Sequence, residues 1–293
     1  MQALFDSLTA FKQLFLPLWL LITALFGLTI GSFLNVVICR LPVMLLRGQQ
    51  AEARDCLGLP AESGRDVNLQ TPASCCPRCG QGITPRHNIP LLSWLILRGR
   101  AACCGEKISA IYPLVEGLVM LLFITLSWMM PPDWPWLAAL LFFSFLLTLA
   151  LIDIRCGLLP DVLTLSLLWL GLAFNLTQDE YALQDAVIGA MVGYLLLWTV
   201  FQLFKRVSGK EGLGYGDFKF LAALGAWLGW QALPELILIA ATTALCIALV
   251  VTLLKRLRAA SLVTRQGEIA FGPYLAFAAA TLMLQHLGCD ISL

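Results

Sequence analysis

The sequence predicts an all-α polytopic membrane protein with about eight transmembrane helices and a small cytosolic loop domain that contains cysteines. Of its 293 residues, 59% are hydrophobic and only 13% are charged, a composition that does not suit a soluble domain. The apolar residues form eight windows separated by charged residues, and each window approaches the roughly 20 residues that a helix needs to cross a bilayer. Disordered, collagenous and disulfide-rich secreted proteins are excluded.

The eight apolar windows are each predicted to form one membrane helix. In chain order they cover residues 13–39, 117–132, 134–152, 162–178, 186–204, 220–234, 236–254 and 269–289. The first window is preceded by one lysine and ends without a small-residue cleavage site, so we expect a retained helix rather than a signal peptide.

The basic residues predict the orientation in the membrane. Nine of the 19 lysines and arginines lie between the first two windows, and every second gap after that contains acids only. The positive-inside rule therefore predicts that both termini lie outside the cytosol and that four connections are cytosolic. Lys12 is the one basic residue on the wrong side of this pattern.

These windows divide the chain into three predicted parts. Residues 13–39 form the first transmembrane helix, residues 40–107 form the cytosolic loop domain, and residues 108–289 form a seven-helix membrane core. Within the loop domain, residues 44–70 have no steady hydrophobic period and are predicted to be a mobile surface loop. Residues 89–97 (IPLLSWLIL) are apolar but too few to span, which predicts an interfacial or re-entrant segment.

Two aspartates at membrane ends are the strongest candidates for catalysis. Asp153 ends the third window, and Asp217 precedes the sixth in the stretch GLGYGD, where Gly214 and Gly216 leave room for a turn or for a close-packed chain. Two carboxyl groups that meet would share one proton, and such a pair can activate water and protonate a leaving amine. The alternatives are structural: Asp217 caps a helix, or Asp153 pairs with Arg155 or Lys219.

The cysteines of the loop domain are candidates for a metal site. Cys76 and Cys79 form a CxxC pair, and Cys103 and Cys104 follow in the same basic loop. Thiols in the cytosol stay reduced, so a zinc ion is favoured over a disulfide, with free thiols as the alternative. Cys76, Cys79 and Cys104 are the primary ligands in this prediction, with Cys103 or Cys75 as the fourth.

Seven ordered stretches resemble the type IV prepilin peptidases, which are bifunctional leader peptidases and N-methyltransferases in the GxGD class of membrane aspartic proteases. The stretches are GSFLNVVICRLP from Gly31, CPRC from Cys76, IPLLSWLILRGR from Ile89, ISAIYPLVEG from Ile108, LIDIRCGLLPD from Leu151, GLGYGDFKFLAALGAWLGW from Gly212 and FGPYLA from Phe271.

The resemblance implies a function in pilus assembly or type II secretion. The family's catalytic aspartates fall on Asp153 and Asp217. Its members lie in the bacterial inner membrane, cut prepilins or pseudopilins after a glycine at the cytosolic face, and methylate the new N-terminal residue, commonly Phe, with S-adenosylmethionine. The family often has a second CxxC, but here Ala101 stands where its first cysteine would fall. Membrane lipid is an expected partner and nucleic acid is not.

Two functions from other classes compete with this reading. A proton- or ion-coupled transporter also places carboxylates in membranes, but it needs them near the middle of the bilayer, whereas Asp153 and Asp217 are predicted to lie at one face. A non-catalytic assembly factor would use the cysteine loop to bind partners, and its activity would not depend on either aspartate.

Overall fold

The computed structural model describes residues 2–60, 67–76, 78–178, 180–209, 214–258 and 270–291. Within these ranges the chain forms α-helices, short 3-10 turns and two isolated β-bridges, and no strand is present. The prediction of an all-α membrane fold is confirmed.

The α-helices of the described residues follow one another with short connections, except around the cysteine loop. They are α1 (Gln2–Leu14), α2 (Leu16–Cys56), α3 (Leu92–Ile96), α4 (Ile111–Met129), α5 (Trp134–Cys156), α6 (Asp161–Leu176), α7 (Glu180–Ser208), α8 (Tyr215–Leu228), α9 (Leu233–Arg258) and α10 (Gly272–Ile291).

Each predicted window overlaps at least one of these helices. Five helices, namely α2, α4, α5, α7 and α9, contain segments long and apolar enough to cross a membrane, and α6 is a shorter apolar helix. The total of eight spans stays a prediction. Ile269, with which the eighth window begins, lies outside the described residues.

The first window differs from the helix that contains it. α2 begins at Leu16, because Gln13 belongs to α1 and Pro17 lies in the first turn of the new helix. α2 continues to Cys56. The prediction of a mobile loop at residues 44–70 is therefore wrong for residues 44–56, which are helical. The polar stretch at residues 49–54 (QQAEAR) consists of good helix formers, which extend the helix without an apolar face.

The sixth window also differs from the structure, because it combines parts of two helices. α8 ends at Leu228, where Gly229 adopts a left-handed conformation with φ of 78°. A 3-10 turn at Trp230–Ala232 follows, and Pro234 belongs to the first turn of α9.

The chain divides into two compact units, residues 1–144 and residues 145–293. In the first unit, α2 packs closely on α4 because Gly27 and Gly31 face it. A Cβ atom at Gly31 would lie 2.8 Å from the Cα of Glu116. The Asn35 side chain donates a hydrogen bond of 3.0 Å to the Tyr112 carbonyl of α4, which joins the two helices.

Lys12 makes a structural contact in the same unit. Its ammonium group donates hydrogen bonds to the carbonyls of Met130 at 2.6 Å and Trp128 at 3.3 Å, where α4 ends. Unpaired carbonyls at a helix C-terminus attract cations. This contact gives a local reason for the one lysine that departs from the predicted charge asymmetry.

In the second unit, α8 forms the core. Asp217, Phe218 and every residue from Phe220 to Trp227 are buried, and α6 and α7 pack along the helix. α8 meets α7 where Gly225 and Gly189 face each other, because a Cβ atom on either glycine would overlap the backbone of the other. Its 14 residues extend about 21 Å, less than the roughly 30 Å of a bilayer core.

The contact between α6 and α8 fixes the far end of α8. The Trp227 indole donates a 2.8 Å hydrogen bond to the Leu167 carbonyl, and its ring lies against Gly171 and stacks on Phe174. The Asn175 amide donates a 2.9 Å hydrogen bond to the Ala226 carbonyl. These buried polar contacts set the register of α8 between its neighbours.

We predict that Gly225→Val destabilises the protein by about 1–3 kcal/mol or more, because the added side chain has no space against the Gly189 backbone. The matched control is Gly48→Val in α2, since a Cβ atom at Gly48 meets nothing within 4 Å. Thermal unfolding midpoints of the purified proteins in one detergent compare the two. Equal midpoints would show that the α7–α8 contact tolerates a side chain.

Candidate active site and cysteine cluster

Asp153 lies in the last turn of α5 and is buried, with 6% of the residue exposed. The helix ends soon after it, because Gly157 has a positive φ of 63° and its N–H donates to the Asp153 carbonyl at 2.8 Å. The backbone N–H of Gly272, the first residue of α10, donates a 2.9 Å hydrogen bond to Oδ2 of Asp153. The carboxyl group is therefore held by the start of another helix.

Asp217 lies in the first turn of α8 and is buried, with 7% of the residue exposed. The residue at the N-cap is Gly214, and no side chain caps this helix end. The alternative in which Asp217 serves as the N-cap is therefore wrong. Gly212 and Leu213, which open the predicted GLGYGD stretch, lie outside the described residues.

The structure brings the two carboxyl groups into one site. Leu159, in the turn after α5, lies beside Gly216, which precedes Asp217, and beside Gly272, which bonds to Asp153. A Cβ atom at Gly216 would lie 2.8 Å from Leu159 Cβ, and one at Gly272 would lie 3.2 Å from Leu159 Cδ2. Gly216 thus permits close packing of the chain itself, and Gly214 has an ordinary negative φ of −80°.

Gly272 and Leu159 are site residues that sequence reasoning missed. A Cβ atom at Gly272 would lie 2.6 Å from Oδ2 of Asp153, so any other residue would displace the carboxyl group. The sequence contained a hint, because Phe271-Gly272-Pro273 reads as a helix start. Nothing local to that stretch indicates that its N–H meets an aspartate 119 residues earlier in the chain.

Lys219 pairs with Asp161 and not with Asp153. Its ammonium group lies 2.6 Å from Oδ2 of Asp161, and both side chains are partly exposed. The alternative in which Lys219 neutralises Asp153 is therefore wrong. Without that neutralising partner, a carboxyl pair screened from water has the chemistry of an acid and a base that exchange one proton.

The second cluster consists of four thiols in the loop domain. The Sγ atoms of Cys76, Cys79, Cys103 and Cys104 all lie within 4.8 Å of one another. Cys76 and Cys104 are separated by 3.7 Å, Cys79 and Cys103 by 3.4 Å, and Cys103 and Cys104 by 3.9 Å. Thiolates at the corners of a tetrahedron around zinc, each about 2.3 Å from the ion, are about 3.8 Å apart. The cluster could bind a metal ion.

Two short turns carry these thiols. In the first, Gly80 donates to the Cys76 carbonyl at 2.9 Å and has a φ of 72°. In the second, Gly105 donates to the Ala101 carbonyl at 2.8 Å and has a φ of 69°. The turns correspond residue by residue, so Ala101 occupies the place of Cys76 and Cys103 supplies the missing thiol. Cys75 is not part of the cluster.

Backbone contacts prepare one thiol of the cluster for ionisation. Hydrogen bonds from the backbone of Cys79 and Arg78 lower the pKa of Cys76 to about 6. A hydrogen bond with the Cys79 side chain raises the pKa of Cys103 to about 12. The two turns are also joined by an ion pair of 2.8 Å between Arg78 and Glu106.

Two family models cover most of the chain in sequence order. Residues 25–130 match the bacterial peptidase A24 N-terminal domain, and residues 140–249 match the type IV leader peptidase family. The chain belongs to the type IV leader peptidase family. The resemblance stated from the seven sequence stretches is thereby confirmed.

Curated relatives of the family match over nearly their whole length. A prepilin leader peptidase/N-methyltransferase of Dickeya chrysanthemi is 52% identical over 286 residues, which is 96% of this chain and 98% of that relative. Proteins of the same name from Pectobacterium carotovorum and Pseudomonas aeruginosa are 48% and 50% identical, over 96% and 89% of this chain and 98% and 88% of theirs. No solved structure matches.

Proposed function

We propose that this protein is a bifunctional membrane enzyme that cleaves the leader from type IV prepilins or type II secretion pseudopilins and then methylates the new N-terminus. The observation that carries the proposal is the pair of buried aspartates, Asp153 and Asp217, in one site of a type IV leader peptidase family member. The relatives' names supply both activities.

In this proposal Asp153 and Asp217 share one proton. The ionised carboxylate takes a proton from a water molecule, and the oxygen of that water attacks the scissile carbonyl. The protonated partner then donates its proton to the peptide nitrogen as the C–N bond breaks. The products are a leader with a new carboxylate and a mature chain with a free amine. Burial of both carboxyl groups favours this chemistry, because charges interact strongly where water is excluded.

Gly272 acts as a positioning residue for the pair. Its N–H donates a 2.9 Å hydrogen bond to one oxygen of Asp153, and this bond fixes the orientation of the carboxyl group. The absence of a side chain at Gly272 lets this oxygen approach the start of α10. A catalytic group must be held within a fraction of an ångström of its reactive position, because small displacements lower the reaction rate.

The methyl-transfer step uses S-adenosylmethionine, as the names of the relatives suggest. The sulfonium group of that donor would supply a methyl group to the free amine left by cleavage. We assign no residue of this chain to its binding.

The four-cysteine cluster is proposed to hold zinc through Cys76, Cys79, Cys103 and Cys104. The spacing of the sulfur atoms fits a tetrahedral thiolate site, and the ion would join the two turns of the loop domain. Its role would be structural, because four protein ligands leave no open position for a substrate.

The apolar helices and the prepilin peptidase relatives support a bacterial inner-membrane location, and the charge asymmetry supports an orientation with both termini in the periplasm. In that orientation the ends of α5 and α8 that carry the aspartates face the cytosol. A basic leader would then remain on the cytosolic side during cleavage.

Replacing either aspartate by asparagine removes the shared proton at unchanged size. We predict that Asp153→Asn and Asp217→Asn each reduce cleavage of a synthetic prepilin with a basic leader to background, while both proteins accumulate in membranes. Asp133→Asn is the matched control: Asp133 accepts the Trp136 N–H at 2.9 Å, and asparagine caps a helix equally well. Mass spectrometry of the product N-terminus reads cleavage and methylation together. Normal cleavage by either variant would show that Asp153 and Asp217 are not a catalytic pair.

Gly272→Ala tests the positioning role. The methyl group would lie within 2.6 Å of Oδ2 of Asp153, so the carboxyl group must move. We predict that kcat for leader cleavage falls about 100-fold with little change in KM, because the substrate still binds. Gly48→Ala, which adds the same methyl group at an open helical position, should retain full activity. An unchanged kcat in Gly272→Ala would exclude the role.

Metal analysis of the full-length protein tests the cysteine site. We predict one zinc ion per chain in the wild type, and substantially less in Cys76→Ser and Cys104→Ser, because each removes one of four ligands. Cys75→Ser is the control, since the Cys75 thiol neighbours Cys76 in the sequence but lies outside the cluster. If metal analysis finds no zinc in wild-type protein purified without chelators, the assignment is overturned.

A further inference from the structure

The short helix α3 and its flanks present an apolar surface that no described part of the chain covers. Ile89, Leu92, Leu95 and Ile96 are 48%, 51%, 56% and 71% exposed. Leu95 and Ile96 follow Leu92 by three and four residues, so the three side chains share one face of the helix. We call these four side chains the α3 apolar face.

The opposite side of the same segment is fixed by hydrogen bonds. Ser93 is buried; its hydroxyl donates to the Arg86 carbonyl at 3.1 Å and accepts from the Ile89 N–H at 3.0 Å. The Trp94 indole donates to the Ile108 carbonyl at 3.3 Å, and its ring packs against Gly99. The segment is therefore built to hold the α3 apolar face outward.

Glu116 joins this segment to a membrane helix. Its carboxylate, buried in α4, accepts a 2.7 Å hydrogen bond from the Leu91 N–H, just before α3 begins. Leu91 has a φ of 59°, which is uncommon for a residue with a branched side chain. The acid that interrupts α4 thus orients α3.

Exposed basic residues flank the α3 apolar face in the sequence. Arg86, Arg98, Arg100 and Lys107 are all exposed, and the sequence between residues 85 and 105 contains no acid. Apolar side chains flanked by arginine and lysine favour the boundary between anionic headgroups and acyl chains. Ile111 and Leu114, at the start of α4, are exposed apolar residues of a helix that crosses the membrane. Lipid is therefore present within a short distance along the chain.

We propose that the α3 apolar face inserts into the surface of an anionic phospholipid bilayer, with the flanking arginines at the headgroup phosphates and Glu116 as the clamp that sets the orientation of α3. The loop domain is then held against the membrane at α3 in addition to α2 and α4. This proposal does not depend on the peptidase or methyltransferase activity.

Photocrosslinking in the full-length protein identifies what covers the face. p-Benzoylphenylalanine replaces Ile96, and in a control protein it replaces Gln81, which is exposed in the cysteine loop. Both proteins are reconstituted in vesicles of phosphatidylcholine and phosphatidylglycerol and irradiated, and adducts are identified by mass spectrometry. We expect phospholipid adducts at position 96 to exceed those at position 81 several-fold. Adducts with a second copy of the chain, or equal lipid labelling at both positions, would overturn the proposal.

Two further arms separate the contributions of charge and orientation. Removing Arg98 and Arg100 as Arg98→Gln and Arg100→Gln should lower the ratio of phosphatidylglycerol to phosphatidylcholine adducts by up to about five-fold for each charge. Glu116→Ala should reduce lipid adducts at position 96, whereas Glu116→Gln retains an oxygen acceptor for the Leu91 N–H and should preserve them. An unchanged lipid ratio would exclude anionic selectivity, and equal labelling in both Glu116 variants would exclude the clamp.

Discussion

The close contact between α7 and α8 is the packing constraint on which the candidate active site depends. Gly189 and Gly225 bring the two backbones together, and Trp227 and Asn175 fix the other side of α8 against α6. A helix of 14 residues held this tightly has its N-terminus at a defined depth. Asp217, in the first turn, is consequently buried.

Three helix ends supply the groups of the site, and each contributes something different. α5 provides Asp153 from its last turn, α8 provides Asp217 from its first turn, and α10 provides the Gly272 N–H. Unpaired N–H groups at a helix start are natural partners for a carboxylate. The turn after α5 places Leu159 beside Gly216 and Gly272. The site is thus assembled within one compact unit from three helix ends, of which the first and the last are 119 residues apart in the sequence.

The sequence predicted the parts of this protein that are encoded locally. Apolar windows located every long helix, and the CxxC spacing located the thiol cluster. Helix ends were predicted less well: the polar extension of α2 to Cys56 has helix-forming residues but no apolar face, and Gly229 divides the sixth window. The hydrogen bond between Gly272 and Asp153 and the choice of Cys103 over Cys75 depend on long-range packing, which no local pattern reveals.

A double-mutant cycle tests most directly whether the two aspartates act as one unit. Initial rates of prepilin cleavage are measured for the wild type, Asp153→Asn, Asp217→Asn and the double variant, at matched protein levels in the same membranes. Residues that share one proton lose their function together, so the double variant should be no slower than either single variant. Rate losses that multiply in the double variant would show that the two carboxyl groups act independently, and would contradict the shared proton.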